Sequence, residues 1–278
     1  MTWDPFHAWI SSAPLLFIGV LLFGAMCVAA AVGVLLNRWH ARETARSAGA
    51  DEAEKGEGQE GYIVSAVLGL LALLMGFTFS LAVDRFETRR HLVLEEANAI
   101  GTTYLRAQLL PEPHRARMTD ILVRYTNNRI LLAEAGPEKM SPFLATNDVL
   151  ITDMWAATAS AFDAIKTLDF SSAYLDSVNA VIDLDASRKT ARAARVPAEV
   201  FVVLFIYLFV TAGVLGYVLK GKRGRMSAVF LLGLLTLSLL LIIDVDRPVA
   251  GGVIEGQAPM KTLQTSFSQP TTTYDRWR

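Results

Sequence analysis

One cysteine, four histidines and almost no surplus of either charge leave this 278-residue sequence little material for several common functions. Cys27 stands alone inside an apolar run, so no intramolecular disulfide forms and the residue acts as a small hydrophobe. His7, His40, His91 and His114 are scattered, and no His/Cys/Asp/Glu set at ligand spacing, nucleophile elbow or phosphate-cradling glycine loop accompanies them. The nearest approach to a metal site, His91 with Glu95 and either Glu96 or Asp84, reads as a charge-compensated helix face. No catalytic residue, metal or cofactor is therefore expected, and the chain is not read as an enzyme. A net charge of -1, with no basic face interleaved with aromatics, also argues against binding nucleic acid. No segment alternates in the manner of a strand.

What is present is apolar and clustered. Hydrophobic residues make up 53% of the chain and its mean hydropathy is +0.36, too high for an ordinary soluble domain. Four runs are long enough to cross a bilayer, or nearly so: Pro14 to Leu36, Tyr62 to Val83, Val200 to Leu219 and Ala228 to Ile243. A helix rising ~1.5 Å per residue covers a ~30 Å hydrocarbon core in about 20 residues. The last run is somewhat short, and tilt or local thinning completes it. The first lacks the basic leader and cleavage pattern of a secretory signal and reads as a retained span.

The second run organises the chain. From Val83 to Leu110 there is no proline and one glycine, Gly101, so a single helical rod is expected to leave the bilayer and run on until Pro111. Three further helical patterns follow, His114 to Ala135, Pro142 to Leu168 and Ser171 to Val196. Their apolar stripes, Met118, Ile121, Leu122, Tyr125 and Ile130 to Leu132, then Val149, Ile151, Trp155, Ala159 and Phe162, are expected to form a bundle core. The fold class is thus an all-α membrane protein, with four transmembrane helices and an inserted α-helical bundle continuous with the second and third spans. The segments are an N-terminus with the first span (1–36), a flexible acidic loop (37–61), the second span (62–83), the helical soluble domain (84–196), the third and fourth spans (197–243), and an interfacial segment with a mobile tail (244–278). KGKRGR is expected to turn the chain between the last two spans. Counting Lys and Arg in loops one and three places those loops in the cytoplasm and the domain outside.

On the second span Ser65, Gly69, Ala72, Gly76 and Ser80 form a narrow small-residue face, a packing seam by one reading. By another, copies of this helix surround an axis, and Leu71, Met75 and Phe79, at i, i+4 and i+8, constrict it. Asp84 and Arg85 after the second span, with Asp244, Asp246 and Arg247 after the fourth, are candidates for charge at a pore mouth, against the alternative of local pairing and helix capping.

Three stretches together, GFTFSLAVDRFETRR, EEANAIGTTYLRAQLLP with RYTNNRI after it, and DVDRPVAGG, resemble the bestrophin-like family of bacterial membrane proteins. Glu95, Glu96, Asn98, Gly101, Tyr104 and Arg106 belong to the most specific of these runs. Bestrophins are pentameric chloride channels with four passes and an apolar neck on the second. The resemblance implies a homo-oligomer, a pentamer if it holds, embedded in the lipid bilayer of the bacterial inner membrane, with inorganic ions as its partners. It places the soluble body in the cytosol, opposite to the charge count, and brings no acidic calcium clasp. Two functions are carried forward: an ion channel lined by the second span, and a non-conducting sensor or scaffold whose helical domain binds a partner.

Overall fold

The computed structural model describes residues 9–10, 13–47, 53–136, 139–248 and 251–267. Its helices are α1 (Leu15–Ser47), α2 (Ala53–Ala107), α3 (His114–Glu134), α4 (Met140–Ile165), α5 (Ser171–Ala193), α6 (Ala198–Val218), α7 (Gly221–Asp246) and α8 (Ala258–Phe267). No strand occurs among the described residues. Four of the helices contain stretches long and apolar enough to cross a membrane, the third such stretch being carried by α6. The protein is an all-α, multi-pass membrane protein. The chain divides into two compact units, the first made of residues up to Asp84 with Arg195–Arg247 and Gly251–Val253, the second of Arg85–Ala194, Pro248–Ala250 and the remainder.

In the first unit α1 packs along α6 and, less extensively, on α7. Lipid offers helices no hydrophobic drive to associate, so close van der Waals contact must hold them. Glycine supplies it here. A Cβ placed on Gly33 would run into the Gly213 carbonyl, and one placed on Gly216 would run into the Ala30 carbonyl. Two backbones therefore meet with no side chain between them.

Both ends of the apolar runs differ from expectation. Helix α1 continues past Leu36 to Ser47 and α2 begins at Ala53, so much of 37–61, expected to be a flexible loop, has helical backbone. Low apolar content argues against packing, not against helix, and NRWHARETAR has neither glycine nor proline to break one. Likewise KGKRGR is not a six-residue turn. Gly221 adopts φ +74°, a left-handed conformation that glycine enters without steric cost, and α7 starts at that residue.

The second unit is a helical bundle built from Arg85–Ala107 of α2 with α3, α4, α5 and α8. The rod expected from the sequence is one helix through Asp84. Met118, Ile121, Leu122, Tyr125, Ile130 and Leu132 of α3 are buried in the bundle, as their spacing predicts, and only Leu131 of that set faces outward. In α4 the expected face is mostly the wrong one, although Ile151 of that set packs against the core. Val149, Trp155 and Phe162 are exposed, Trp155 at 50%, while Leu150, Met154, Ala157, Ala161 and Ile165 enter the core. That helix is apolar on both sides, so periodicity alone does not choose between them. Finally, 258–267 is not a loose interfacial piece. Met260 is fully buried in the core, with Leu263 and Phe267 packed against it. Residues 268–278, expected to be a mobile tail, lie outside the described residues.

The α1–α6 seam makes a direct prediction. Gly33→Leu should cost about 3 kcal/mol by overpacking against a backbone that cannot move aside, whereas Gly24→Ala, with open space around its Cβ, should be neutral. Thermal unfolding of the detergent-solubilised protein, followed by size-exclusion recovery, separates the two.

Candidate functional site

The membrane portion of α2 presents most of its surface outward. Ser65, Gly69, Ala72, Gly76 and Ser80 are all exposed, and no heavy atom lies within 4 Å of a Cβ built on Gly69 or Gly76. The chain itself thus leaves the small-residue face uncovered. Ser65 turns its hydroxyl back to the Gly61 carbonyl at 3.0 Å. The three residues expected at an apolar neck differ in exposure. Leu71 (0% exposed) and Met75 (7%) are buried within the chain, on the same side as Thr78 and Ala82, and two side chains enclosed by their own protomer have no surface left to line a pore. Phe79, at 39%, is accessible, as are Leu70, Leu73 and Phe77.

Charges at the end of α7 are engaged with backbone. Asp244 accepts hydrogen bonds from the backbone N–H groups of Gly252 (2.9 Å) and Val253 (3.2 Å), which fold back over the helix end. Gly251 has φ +136°, and a Cβ there would collide with the Asp244 carboxylate, so the reversal requires glycine. Asp246 accepts from the Val196 N–H at 3.0 Å, and its own carbonyl accepts from Arg195 at 3.3 Å. Arg247 donates to the carbonyls of Ile10 and, at 2.8 Å, Ala13. All three side chains are buried. Each of the three clasps a backbone segment, in line with the capping alternative. Asp84 is exposed and Arg85 half-buried.

The motif residues of α2 divide by helical face. Glu95 and Asn98 point to solvent, Glu95 paired with His91 at 3.1 Å on an exposed face. Glu96 points the opposite way and is fully buried, so His91, Glu95 and Glu96 do not converge. A Cβ on Gly101 would stand 3.3 Å from Leu263, which lets α8 lie against α2. One residue-turn further on, the Tyr104 ring packs on Phe267 with centroids 4.4 Å apart. Arg106 donates to the Ala173 carbonyl and Thr103 to that of Ser177, at 2.9 Å, holding the start of α5.

Around Glu96 lies a buried charged network. Tyr125 donates to it at 2.6 Å, Arg129 contacts both carboxylate oxygens through Nε at 3.1 and 3.2 Å, and Arg188 donates from a third helix. Arg129 also reaches Asp185 at 3.2 Å, and Asn147 donates to the same Asp185 oxygen at 2.9 Å. Burial works against the Arg129 charge, but Glu96, Tyr125 and Asp185 more than offset it and raise its pKa. Burial, then the Glu96 charge, lifts the Tyr125 hydroxyl well above its ordinary value, so it stays a donor. Nearby, Glu255 pairs with Arg89 at 3.0 Å and stands 3.8 Å from Arg192. Burial and the adjacent Arg188 lower the Arg192 pKa to about 10.

Sequence reasoning singled out Glu96 but missed Arg89, Tyr125, Arg129, Asn147, Asp185, Arg188 and Glu255. A signal existed. Tyr174, Val178 and Val181 form the core stripe of α5, and Asp185 and Arg188 continue it at the same spacing. Arg129 extends the stripe of Met118, Leu122 and Tyr125 in the same way. An ionisable residue at a core position of an amphipathic helix requires a buried partner.

An all-helical, multi-pass membrane protein with a helical bundle set between its spans is the class that fold and site define. A family model for the Bestrophin-like domain matches residues 28–254, and the chain belongs to the Bestrophin-like family. It resembles a point-substituted bacterial bestrophin homolog from Klebsiella pneumoniae, at 14% identity and a TM-score of 0.63 over 92% of this chain and 96% of that one. A second structure of the Klebsiella pneumoniae homolog, solved by zinc phasing, matches at 14% identity and a TM-score of 0.60, over 89% and 95%. A structure described only as a membrane protein matches at 14% and 0.64, over 90% and 97%. At such identity the likeness establishes the fold. No curated protein matches the sequence.

Removing one partner of a buried ion pair strands the others. Glu96→Gln should therefore destabilise the protein by about 3–5 kcal/mol, and Glu95→Gln, at an exposed pair, by less than about 1 kcal/mol. Parallel thermal melts of the two variants check the contrast.

Proposed function

We propose that the protein is a homo-oligomeric ion channel of the bacterial inner membrane, with α2 of each copy facing a shared axis. The observation that carries this reading is the uncovered face of α2 in a Bestrophin-like chain. Ser65, Gly69, Gly76 and Ser80 leave room for a pore and for close approach of a neighbouring copy, and the accessible Phe79, on the flank of that face, supplies apolar surface for a constriction. A narrow apolar collar excludes water until it widens, which is a means of gating. Asp84 and Arg85, one residue beyond the apolar run, set the ionic character of the mouth. The pentamer belongs to the same proposal, and no catalytic step is assigned.

The exposed apolar face of α4, with Val149, Trp155 and Phe162, favours a second reading, a scaffold whose helical bundle docks a partner protein. Conductance separates the two. Sidedness is read by Lys166→Cys with an impermeant maleimide: labelling in intact cells puts the bundle outside, as loop charge has it, and protection puts it in the cytosol, as in bestrophins.

Ion flux through purified protein in liposomes, under opposed chloride and potassium gradients, tests the channel. Phe79→Ala should increase flux and Asp84→Ala should shift the reversal potential, with assembly intact in both. Leu71→Ala, a core truncation, should instead cost about 2–5 kcal/mol of stability. Absence of flux from all three well-folded oligomers, wild type included, would move the assignment to the scaffold.

A further inference from the structure

The end of α3 and the segment that leads into α8 enclose a cavity of about 370 Å³ within the helical bundle unit. Its wall carries Arg192 from α5, Glu134 and Ala135 from the end of α3, Glu255 and Gln257 ahead of α8, and Lys261 on α8. Three of these present buried polar atoms with no hydrogen-bond partner among the described residues, Arg192 Nε, Gln257 Oε1 and Glu255 Oε1, the last of which stands 3.0 Å from Arg89 as an ion pair. The Gln257 amide is oriented by its other end, since Nε2 donates to the Glu255 carbonyl at 3.2 Å and leaves Oε1 as an acceptor. Buried polar atoms are ordinarily satisfied, so an orphan donor and an orphan acceptor in one cavity call for a ligand that answers both.

The charges narrow its chemistry. Arg89, Arg129, Arg188 and Arg192 share the buried carboxylates of Glu96, Asp185 and Glu255. Lys189 bridges Asp148 at 2.6 Å and the same Asp185 at 2.8 Å. Among these pairs that of Arg192 is the longest, its carboxylate standing at 3.8 Å. Lys261 is occupied by Glu134 at 2.7 Å. The opposite wall is acceptor-rich. Besides Gln257 Oε1 it contains the C-terminus of α3, where the last carbonyls and the helix dipole present negative charge. A doubly charged phosphate would meet Glu134 and Glu255 at close range, whereas a monoanion with a donor would not be so opposed.

We propose that this cavity binds a small carboxylic acid that also carries an amino or hydroxyl donor, its carboxylate on the Arg192 guanidinium and its donor on Gln257 Oε1. The site belongs to the bundle unit and does not depend on whether the protein conducts ions.

Binding is read from the melting temperature of the full-length protein in detergent, because a ligand of the folded state alone stabilises it by mass action. L-Alanine and L-lactate are titrated beside propionate, which lacks the donor, and beside sodium chloride at matched ionic strength. The expected result is a saturable rise with alanine or lactate, and half-saturation about fivefold weaker for propionate, the worth of one hydrogen bond. Arg192→Gln should abolish the rise, and Gln257→Leu should make alanine and propionate equivalent. No saturable rise with either ligand, or a rise unchanged in folded Arg192→Gln, overturns the proposal. If Arg192→Gln does not fold, Gln257→Leu decides alone: discrimination lost supports the site, discrimination kept refutes it.

Discussion

A carboxylate sealed from water inside a helical bundle must be surrounded by donors, and Glu96 imposes that condition on the second unit. Its partners come from α3 and α5, and Asn147 of α4 joins through Asp185. Four helices thereby acquire a common register, since a shift of one residue along any of them would turn a charge into apolar surroundings at a cost of several kcal/mol. Apolar packing alone is more permissive, because a stripe of Leu and Ala tolerates many small slides. The charged centre adds directionality to a core that otherwise has little.

The first unit solves the same problem at its edge rather than at its centre. Three charged positions at the end of α7, Asp244, Asp246 and Arg247, are each assigned to backbone: the returning loop, the link into α6, and the chain ahead of α1. Backbone groups just outside regular helix are the ones left unpaired by helix geometry, and buried side chains of matching polarity satisfy them. A sequence such as DVDRPVAGG, which looks like an ionic cluster on paper, is in space a set of clasps for three separate strands of chain.

Much of this architecture was legible. Long apolar runs marked the spans, Pro111 and Gly136 marked breaks, and the unbroken sequence from Val83 to Leu110 forecast a single helix, which ends three residues sooner, at Ala107. What was not legible follows from what periodicity measures. It registers a contrast between faces, so α4, apolar on both, gave the outward set of Val149, Trp155 and Phe162 in place of Leu150, Met154 and Ala161. The i, i+4 spacing of Leu71, Met75 and Phe79 identified residues of neighbouring azimuth without saying whether the helix turned that side to the chain or away from it. Partners distant in sequence were out of reach altogether: nothing local to Glu96 announces Arg188, nor anything local to Arg89 announces Glu255.

The glycine seam between α1 and α6 has a bearing on how the protein is made. Gly33 and Gly213 are roughly 180 residues apart, so α1 is synthesised and leaves the ribosome long before its partner exists. At about 5–20 residues per second that interval is about 10–40 s, during which the whole helical bundle is being produced. A span kept waiting in lipid with a face of polar side chains would pair with whatever polar surface it met first. A bare backbone face incurs little penalty against acyl chains and fits few partners closely. Using glycine at this contact lets the first helix into the membrane remain uncommitted until the second-to-last arrives.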